Sequence, residues 1–207
     1  MQLDTINELV YSLMKNQRSP VNHEKAEKYY HGQRTALLAV NLRKRLFPED
    51  AGSDDILTVA GWFHDIMNDG AEHHEARGAE KAREVLRPHC SAEELDAVCD
   101  IICAHDDRKQ EKNYSNLIKL VQDADLLDHF GAFDVWRMFA YTITHDQTIM
   151  EAMEFMKTRD PREHLGQLNF DISKQIYEEK MRFLMQFTER FAVECAGGIW
   201  GEDFLPG

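Results

Sequence analysis

The sequence predicts an all-α protein, a single domain of about eight helices that spans residues 1–207. Three observations support this fold class. Apolar residues recur every three or four positions through most of the chain, the spacing that places them on one face of a helix. No stretch alternates between apolar and polar residues for long enough to indicate a strand. The five prolines mostly lie where a helix would begin or end.

Start and stop signals divide this pattern into separate helices. Pro48 ends the second helix, the polar loop 68–73 follows the third, and Pro88 ends the fourth. Ser91 and Glu94 form a capping box, in which each side chain accepts a backbone N–H at a helix start, so the fifth helix begins here. The expected helices are 3–17, 23–46, from about 53 to the doublet His64-Asp65, 74–87, 91–105, 114–130, 131–157 and 169–196.

Size and charge limit the functions open to the chain. At 207 residues it is long enough for one domain with a full hydrophobic core. Its 24 basic and 37 acidic residues give a net charge of −13, so it lacks the positive surface with which proteins hold nucleic acid polymers or anionic lipid. A small phosphorylated molecule remains open as a partner, because divalent metal ions can reverse the local field in a cleft.

The sequence also predicts a cytoplasmic protein that does not bind membranes. No apolar run approaches the roughly 18 residues that a membrane span needs. The N-terminal segment lacks the basic start and apolar stretch of a secretory signal. The four cysteines contain no Cys-x-x-Cys pair, and we interpret them as small buried residues in a reducing compartment.

Histidine and aspartate residues in four short motifs are the candidate metal ligands. They are His31 in YYHGQR, the doublet His64-Asp65 in GWFHDI, His105 in IICAHDD and Asp125 in LVQDADLLD. Imidazole nitrogens and carboxylate oxygens bind borderline and hard divalent cations. Each motif lies in a stretch that predicts helix, so helix packing could bring all four to one metal site with open positions for water or substrate.

Each of these residues alone also has an ordinary structural explanation. A single histidine on a helix is more often a hydrogen-bonded structural residue than a metal ligand, and His-Asp doublets are common by chance. Asp125 is more informative, because leucine and valine residues around it predict burial, and a buried carboxylate needs a cation or hydrogen-bond donors. The ordered set on an all-helical background is what favours a metal site.

This ordered set resembles the signature of the HD superfamily of metal-dependent phosphohydrolases, in which a His, a His-Asp doublet and a distal Asp lie on a bundle of helices. The matching segments are HGQR from His31, AGWFHDI from Ala60, IICAH from Ile101 and VQDADLLD from Val121. The resemblance covers about residues 23–140, which leaves residues 141–196 as a C-terminal helical extension. The tail 170–194 is similar to the closing helix of a single-domain bacterial branch.

The resemblance implies a ligand set and an activity. His31, His64, Asp65 and Asp125 would bind one or two divalent metal ions, with Mn, Mg, Fe, Co and Zn as candidates. The implied activity is hydrolysis of nucleotides or related small phosphate esters by attack of metal-bound hydroxide on phosphorus. Asp128, one turn beyond Asp125, would orient a metal ligand or a water molecule through a hydrogen bond. A solvated position on the helix surface explains an aspartate here equally well.

The general base departs from the pattern of the family. In HD nucleotidases a Glu soon after the doublet acts as base, whereas Asn68 and Asp69 occupy the nearby positions here. Asp69 is therefore the candidate base. The candidate catalytic residues are Asp65, Asp69 and Asp128.

Further histidine and basic residues would extend the site. His105 and His74 would bind a second metal or contact phosphate, with His73 as the alternative to His74, although all histidines of this polar loop could be ordinary surface residues. The candidates for substrate binding are Arg34, Arg108 and Lys109. Guanidinium groups suit phosphate, but the basic pair after His105 could instead complement the negative end of a helix.

Other functions remain open at this stage. Some HD relatives, such as myo-inositol oxygenase, hold two irons and activate dioxygen, and metal binding by both His74 and His105 would permit that chemistry. A non-catalytic nucleotide-binding module is the other alternative, and the intact ligand set argues against it. The apolar helix faces are compatible with a homodimer. Three aromatic residues after Asp125 could form core or line a substrate cavity, namely Phe130, Phe133 and Trp136.

Overall fold

The computed structural model describes residues 1–19, 23–108 and 112–199, and its α-helices are joined by short loops. The helices are α1 Leu3–Met14, α2 Glu27–Leu46, α3 Asp54–Phe63, α4 His74–Leu86, α5 Ala92–Ala104, α6 Asn116–Asp128, α7 Ala132–Thr144, α8 Ile149–Lys157 and α9 Asp171–Cys195. The described residues contain no strand, and one isolated β-bridge pairs Arg18 with Lys25. The predicted all-α, single-domain fold class is confirmed.

The stretch 131–157, expected as one helix, is two helices in the structure. α7 ends at Thr144, and Asp146 then adopts a φ of 53°, which a helix does not tolerate. Thr148 starts α8 with a capping box, in which its hydroxyl accepts from Glu151 N while the Glu151 carboxylate accepts from Thr148 N. The described part of the chain therefore has nine helices rather than about eight.

Two glycines allow α2 and α3 to approach each other closely at the centre of the domain. A Cβ atom at Gly61 would lie 2.6 Å from Ala36 Cα, and one at Gly32 would lie 3.0 Å from the carbonyl oxygen of Gly61. Side-chain carbons are very rarely found at such distances, so the contact depends on glycine. The close approach places His31, beside Gly32, opposite His64, which follows Gly61 by three residues.

The second half of α6 is buried, and its polar residues fix neighbouring helices. Gln122 donates a hydrogen bond of 2.8 Å to the carbonyl oxygen of Ala104, the last residue of α5. The fully buried Asp123 accepts a hydrogen bond of 3.1 Å from the backbone N–H of Phe170, which precedes α9. α6 thereby holds the end of α5 and the start of α9 in place.

Two other expectations concern membranes and cysteines. No helix in the described ranges has both the length and the apolar character to cross a membrane.

The four cysteines are free, but only Cys99 is buried, and Cys103 is exposed. The interpretation of the cysteines as buried residues is therefore wrong for Cys103.

Candidate metal centre

A polar cleft of about 310 Å³ lies where α2, α3, α5 and α6 meet the start of α4. α2 and α6 contribute His31 and Asp125 from their interiors, whereas His64 and Asp65 follow the last residue of α3. These four predicted ligands are all buried, with exposed fractions between 1% and 6%. The helices thus bring the four together, and Asp65 and Asp125 line the cleft.

Three of the ligand atoms converge on one point. His31 Nε2 lies 3.1 Å from His64 Nε2 and 3.0 Å from Asp125 Oδ1, and His64 Nε2 lies 3.5 Å from that same oxygen. A metal ion with bonds of about 2.1 Å separates neighbouring octahedral ligands by about 3.0 Å. The three atoms therefore stand near the separations that a single ion imposes, and this donor set fits a divalent metal.

Asp65 connects this group to a second one. Its Oδ2 atom lies 3.9 Å from His64 Nε2, whereas its Oδ1 atom lies 3.8 Å from His74 Nε2 and 3.7 Å from His105 Nε2. The first set is His31, His64 and Asp65, and the second is Asp65, His74 and His105. Within each set, the candidate ligand atoms lie within 4.8 Å of one another. Because Asp65 turns one oxygen toward each set, its carboxylate is placed to bridge two ions.

Backbone carbonyl groups orient two of the histidines. His64 and His105 directly follow α3 and α5, and each donates its Nδ1–H to the carbonyl oxygen three residues earlier, at 2.8 Å to Gly61 and 2.7 Å to Ile102. In the neutral ring, Nε2 then carries no proton and can bind a metal. The negative ends of the two helix dipoles also favour a cation beside them.

His31 is oriented by a carboxylate instead. Its Nδ1 atom donates to Asp128 Oδ2 at 2.8 Å, and Asp128 in turn accepts hydrogen bonds of 2.9 Å and 2.8 Å from Nε and Nη2 of Arg34. The Arg34 guanidinium lies 4.0 Å from the centre of the Phe133 ring. Arg34 therefore lies behind Asp128 and does not line the cleft, while Asp128 occupies the place that its predicted orienting role requires.

Sequence reasoning missed His129, which also borders the cleft. Its Nε2 atom lies 3.5 Å from Asp125 Oδ1, and with His31 and Asp125 it forms a third group of potential ligands. Its Nδ1 atom, however, accepts a hydrogen bond from Arg137. A guanidinium group can only donate, so the neutral His129 ring carries its proton on Nε2 and faces Asp125 as a donor rather than as a metal ligand. The signal in the sequence was its position four residues after Asp125, on the same helix face.

Two basic side chains reach the carboxylates of the cleft. Lys28 donates to Asp65 Oδ2 at 2.9 Å, and Arg108 donates to Asp125 Oδ2. Both residues line the cleft. The substrate contact of Arg108 stays a prediction, and Lys28 is a residue that sequence reasoning missed. Lys109, the other predicted contact, lies outside the described residues.

Asp69, the candidate base, does not line the cleft. Its side chain is 57% exposed and forms an ion pair of 2.6 Å with Arg77. Hydrogen bonds from Arg77 and from the backbone N–H of Ala71 hold the pKa of Asp69 far below its usual range. The structure does not bring Asp69 to the ligand cluster, and its role as base stays a prediction.

Comparison with known proteins identifies the family. Residues 29–130, from the start of α2 to the end of α6, match the HD domain. This part of the chain is an HD domain. No curated protein matches the sequence.

The HD fold of solved structures extends over almost the whole chain. YpgQ from Bacillus subtilis, in complex with ADP, is 22% identical and covers 95% of this chain and 99% of its own, with a TM-score of 0.67. An HD-superfamily hydrolase from Bacillus thuringiensis is 23% identical over 94% of this chain and 97% of its own, with a TM-score of 0.66. A predicted HD superfamily hydrolase from an uncultured Thermotogales bacterium is 22% identical over 93% and 92%, with a TM-score of 0.65. At such identities the likeness establishes the fold.

The neighbours of Asp65 and His31 hold these two groups in their charged forms. Burial opposes ionisation of Asp65, but the neighbouring imidazole groups of His64 and His105 outweigh it and keep the pKa of Asp65 well below its usual range. Burial likewise favours the neutral ring of His31, but hydrogen bonds to Asp125 and Asp128 prevail and raise the pKa of His31 to about 10. Without a metal ion, His31 is therefore protonated at neutral pH.

Metal binding is expected to displace that proton. Since His31 Nε2 must lose its proton before it can bind a metal, and its pKa is raised to about 10, binding near neutral pH should release about one proton per chain. The apparent affinity for Mn²⁺ should rise by up to about tenfold per pH unit below that pKa. Calorimetric titrations in two buffers of different ionisation enthalpy measure the proton count. An affinity that does not change with pH across the neutral range would contradict this expectation.

Removal of Asp128 is expected to weaken metal binding without removing a ligand. Asp128→Ala deprives His31 Nδ1 of its partner, and loss of such an orienting group typically costs about 10- to 100-fold in metal affinity. Asp128→Asn keeps an oxygen that can accept from Nδ1, so it should lose less. Titration with Mn²⁺ compares the variants, and thermal unfolding checks that they are folded. Affinities equal to that of the natural protein in both variants would show that Asp128 does not position His31.

Proposed function

We propose that this HD protein is a metal-dependent phosphohydrolase that acts on nucleotides or related small phosphate esters. The supporting observation is the ligand cluster itself, whose imidazole and carboxylate atoms lie at metal-binding separations beside basic side chains. Lys28, Arg108 and Arg137 all line the cleft, although the chain as a whole has a net charge of −13. The cleft is also lined by carboxylates, and once a divalent ion offsets these, the three basic groups favour an anionic ligand and suit the oxygens of a phosphate.

The residues divide the work of such a reaction. His31, His64, Asp65 and Asp125 would hold a divalent cation, which lowers the pKa of a water molecule and polarises a phosphate oxygen. Lys28 and Arg108 pair with Asp65 and Asp125 in this structure. We infer that they bind the phosphate oxygens of a substrate when a metal ion takes over the two carboxylates. Asp128 and the carbonyl groups of Gly61 and Ile102 fix the imidazole rings, so that little reorganisation is needed on binding.

Similar proteins suggest which substrates to test first. Two of the similar structures are described as hydrolases of the HD superfamily, and YpgQ was crystallised with ADP. Nucleotides are therefore the first class to test, followed by aryl phosphates. The protein would be loaded in turn with Mn²⁺, Mg²⁺, Fe²⁺, Co²⁺ and Zn²⁺, and release of phosphate and pyrophosphate would be measured. If no combination releases either product, the proposal is wrong.

The basic residues of the cleft are expected to determine substrate affinity. Lys28→Ala and Arg108→Ala each remove one charge-assisted hydrogen bond to phosphate, worth about 1.5–3 kcal/mol, so KM should rise by about 10- to 100-fold. Lys44→Ala is the matched control, because Lys44 is an exposed lysine of the same helix α2 and does not line the cleft. Steady-state kinetics on the best substrate measure the effect. Unchanged KM values in both cleft variants would argue against phosphate binding here.

An HD-type di-iron oxygenase is a second candidate, favoured by one observation. Asp65 turns one oxygen toward His64 and the other toward His74 and His105, an arrangement that suits two metal ions bridged by a carboxylate. Two irons per chain, with oxygen uptake and no release of phosphate from any ester, would favour the oxygenase.

A further inference from the structure

A second, larger cavity lies beside the metal cleft. It has a volume of about 730 Å³ and is lined by the end of α6, by α7 and α8, and by the segment that follows α8. This volume falls within the range of small-molecule binding pockets, about 300–1,000 Å³. The cleft and the cavity share three lining residues, Leu126, His129 and Arg137. The two spaces therefore adjoin at the point where His129 contacts Asp125 of the metal centre.

The walls of this cavity are largely apolar and aromatic. Phe130 and Met138 are 4% and 9% exposed, and Tyr141 and Phe155 face the cavity from α7 and α8. The sequence left open whether Phe130, Phe133 and Trp136 form core or line a cavity. Phe130 lines this cavity, whereas Phe133 and Trp136 are exposed and do not line it.

Polar groups lie between these apolar walls. Arg159 pairs with Asp134 at 3.1 Å and lies 5.8 Å from the centre of the Phe130 ring. His164, whose ring centre is 5.1 Å from that of Phe130, has a buried Nδ1 atom without a hydrogen-bond partner. A buried imidazole nitrogen that lacks a partner can be satisfied by a ligand in the cavity. The cavity therefore suits an apolar ring that also carries a polar group.

We propose that this cavity binds the organic part of the phosphate ester, a group with one or two apolar rings, while the phosphate lies in the metal cleft. The inference rests on the proposed function and adds the substrate class to it. Arg137 lines both spaces, so a ligand that passes it has its anionic end near Asp65 and Asp125 and its apolar end against Phe130 and Met138. Esters with a large ring system then bind more tightly than those with none, because burial of apolar surface adds to the phosphate contacts.

Calorimetry on the protein loaded with a divalent metal ion that does not support hydrolysis of the esters tests this inference by binding rather than by turnover. The ligands are inorganic phosphate, phenyl phosphate and 2-naphthyl phosphate, compared at a pH at which all three are dianions. The affinity is expected to increase in that order. The affinity should increase about tenfold or more between the first and the last, since burial of an aromatic group removes apolar surface from water.

Two variants that fill the cavity identify where the ring binds. Gln147→Trp changes an exposed residue at the cavity wall, and Ala152→Trp places a large ring at a wall position that is 2% exposed. Both should abolish the gain for 2-naphthyl phosphate and leave the affinity for inorganic phosphate unchanged. Met150→Trp is the matched control, since Met150 lies on the same helix α8, is 49% exposed and does not line the cavity. The Gln147 variant keeps the test valid if the buried tryptophan at position 152 impairs folding.

The outcomes separate this inference from the proposed function. If 2-naphthyl phosphate binds no more tightly than inorganic phosphate, or if its advantage survives Gln147→Trp and a folded Ala152→Trp, the cavity is not the ring site. If the advantage is present and depends on the cavity, but no ester is hydrolysed with any metal, the ring site stands and the hydrolase proposal fails.

Discussion

Replacement of Asp65 by Asn is expected to reduce hydrolysis by about a thousandfold or more. The carboxylate of Asp65 lies in both groups of potential ligands, and its two oxygens face His64 on one side and His74 and His105 on the other. An amide lacks the negative charge, and the contribution of a catalytic metal ion is worth several kcal/mol, at about 1.4 kcal/mol per tenfold in rate. Metal content per chain, measured after dialysis, should fall together with kcat/KM.

Asp69→Asn is the control that shows whether the loss of hydrolysis is specific to Asp65. Asp69 lies four residues further along the chain, is exposed and pairs with Arg77, and water screens the charges of such a surface ion pair. We expect the activity of Asp69→Asn to stay within about threefold of that of the natural protein. A large loss of kcat in Asp69→Asn with normal metal content would instead support Asp69 as the base, and normal activity of Asp65→Asn would contradict the metal centre.

Gly61→Ala is expected to destabilise the protein and to separate the metal ligands. A Cβ atom at this position would lie 2.6 Å from Ala36 Cα and 2.8 Å from Ala36 N, so α2 and α3 must move apart. Overpacking of this kind costs about 1–3 kcal/mol, whereas Gly→Ala in a helix without such a contact is stabilising by about 0.5–1 kcal/mol. Because His31 lies on α2 and His64 directly follows α3, the same movement should weaken metal binding.

Gly52→Ala provides the control, because a Cβ at Gly52 has no atom within 4 Å. Its free energy of unfolding should stay within about 0.5 kcal/mol of the natural value. Chemical denaturation measures both variants, and Mn²⁺ titration measures their affinity. If Gly61→Ala is as stable as Gly52→Ala and binds Mn²⁺ normally, the close approach of α2 and α3 does not position the ligands.

The fold class could be predicted because periodicity and helix signals act locally. Apolar spacing, Pro48, Pro88 and the Ser91–Glu94 capping box mark helices whatever packs against them, and the structure places helices accordingly. The break before α8 was missed although Thr148 and Glu151 repeat the same capping pattern, because the apolar period continues on both sides of it. Local signals must therefore be read even where the periodicity suggests one long helix.

The candidate site was predictable only in part, since its members are far apart in sequence. His31, His64, Asp65 and Asp125 stood out because their residue types suit metals and their order resembles a family. Other roles depend on packing that the sequence does not show. Arg34 turns to Asp128 instead of the cleft, and Lys28, three residues before His31, reaches Asp65 from the next turn of α2. The tautomer of His129 follows from Arg137, eight residues away, and no pattern in the sequence indicates that contact.

The most direct test of the metal centre is a crystal structure grown with Mn²⁺, in which anomalous scattering locates the ion. We predict a peak about 2.0–2.3 Å from His31 Nε2, His64 Nε2 and carboxylate oxygens of Asp65 and Asp125. A second, weaker peak would lie between Asp65, His74 and His105. Absence of any peak within bonding distance of His31 and His64 at saturating Mn²⁺ would contradict the metal centre.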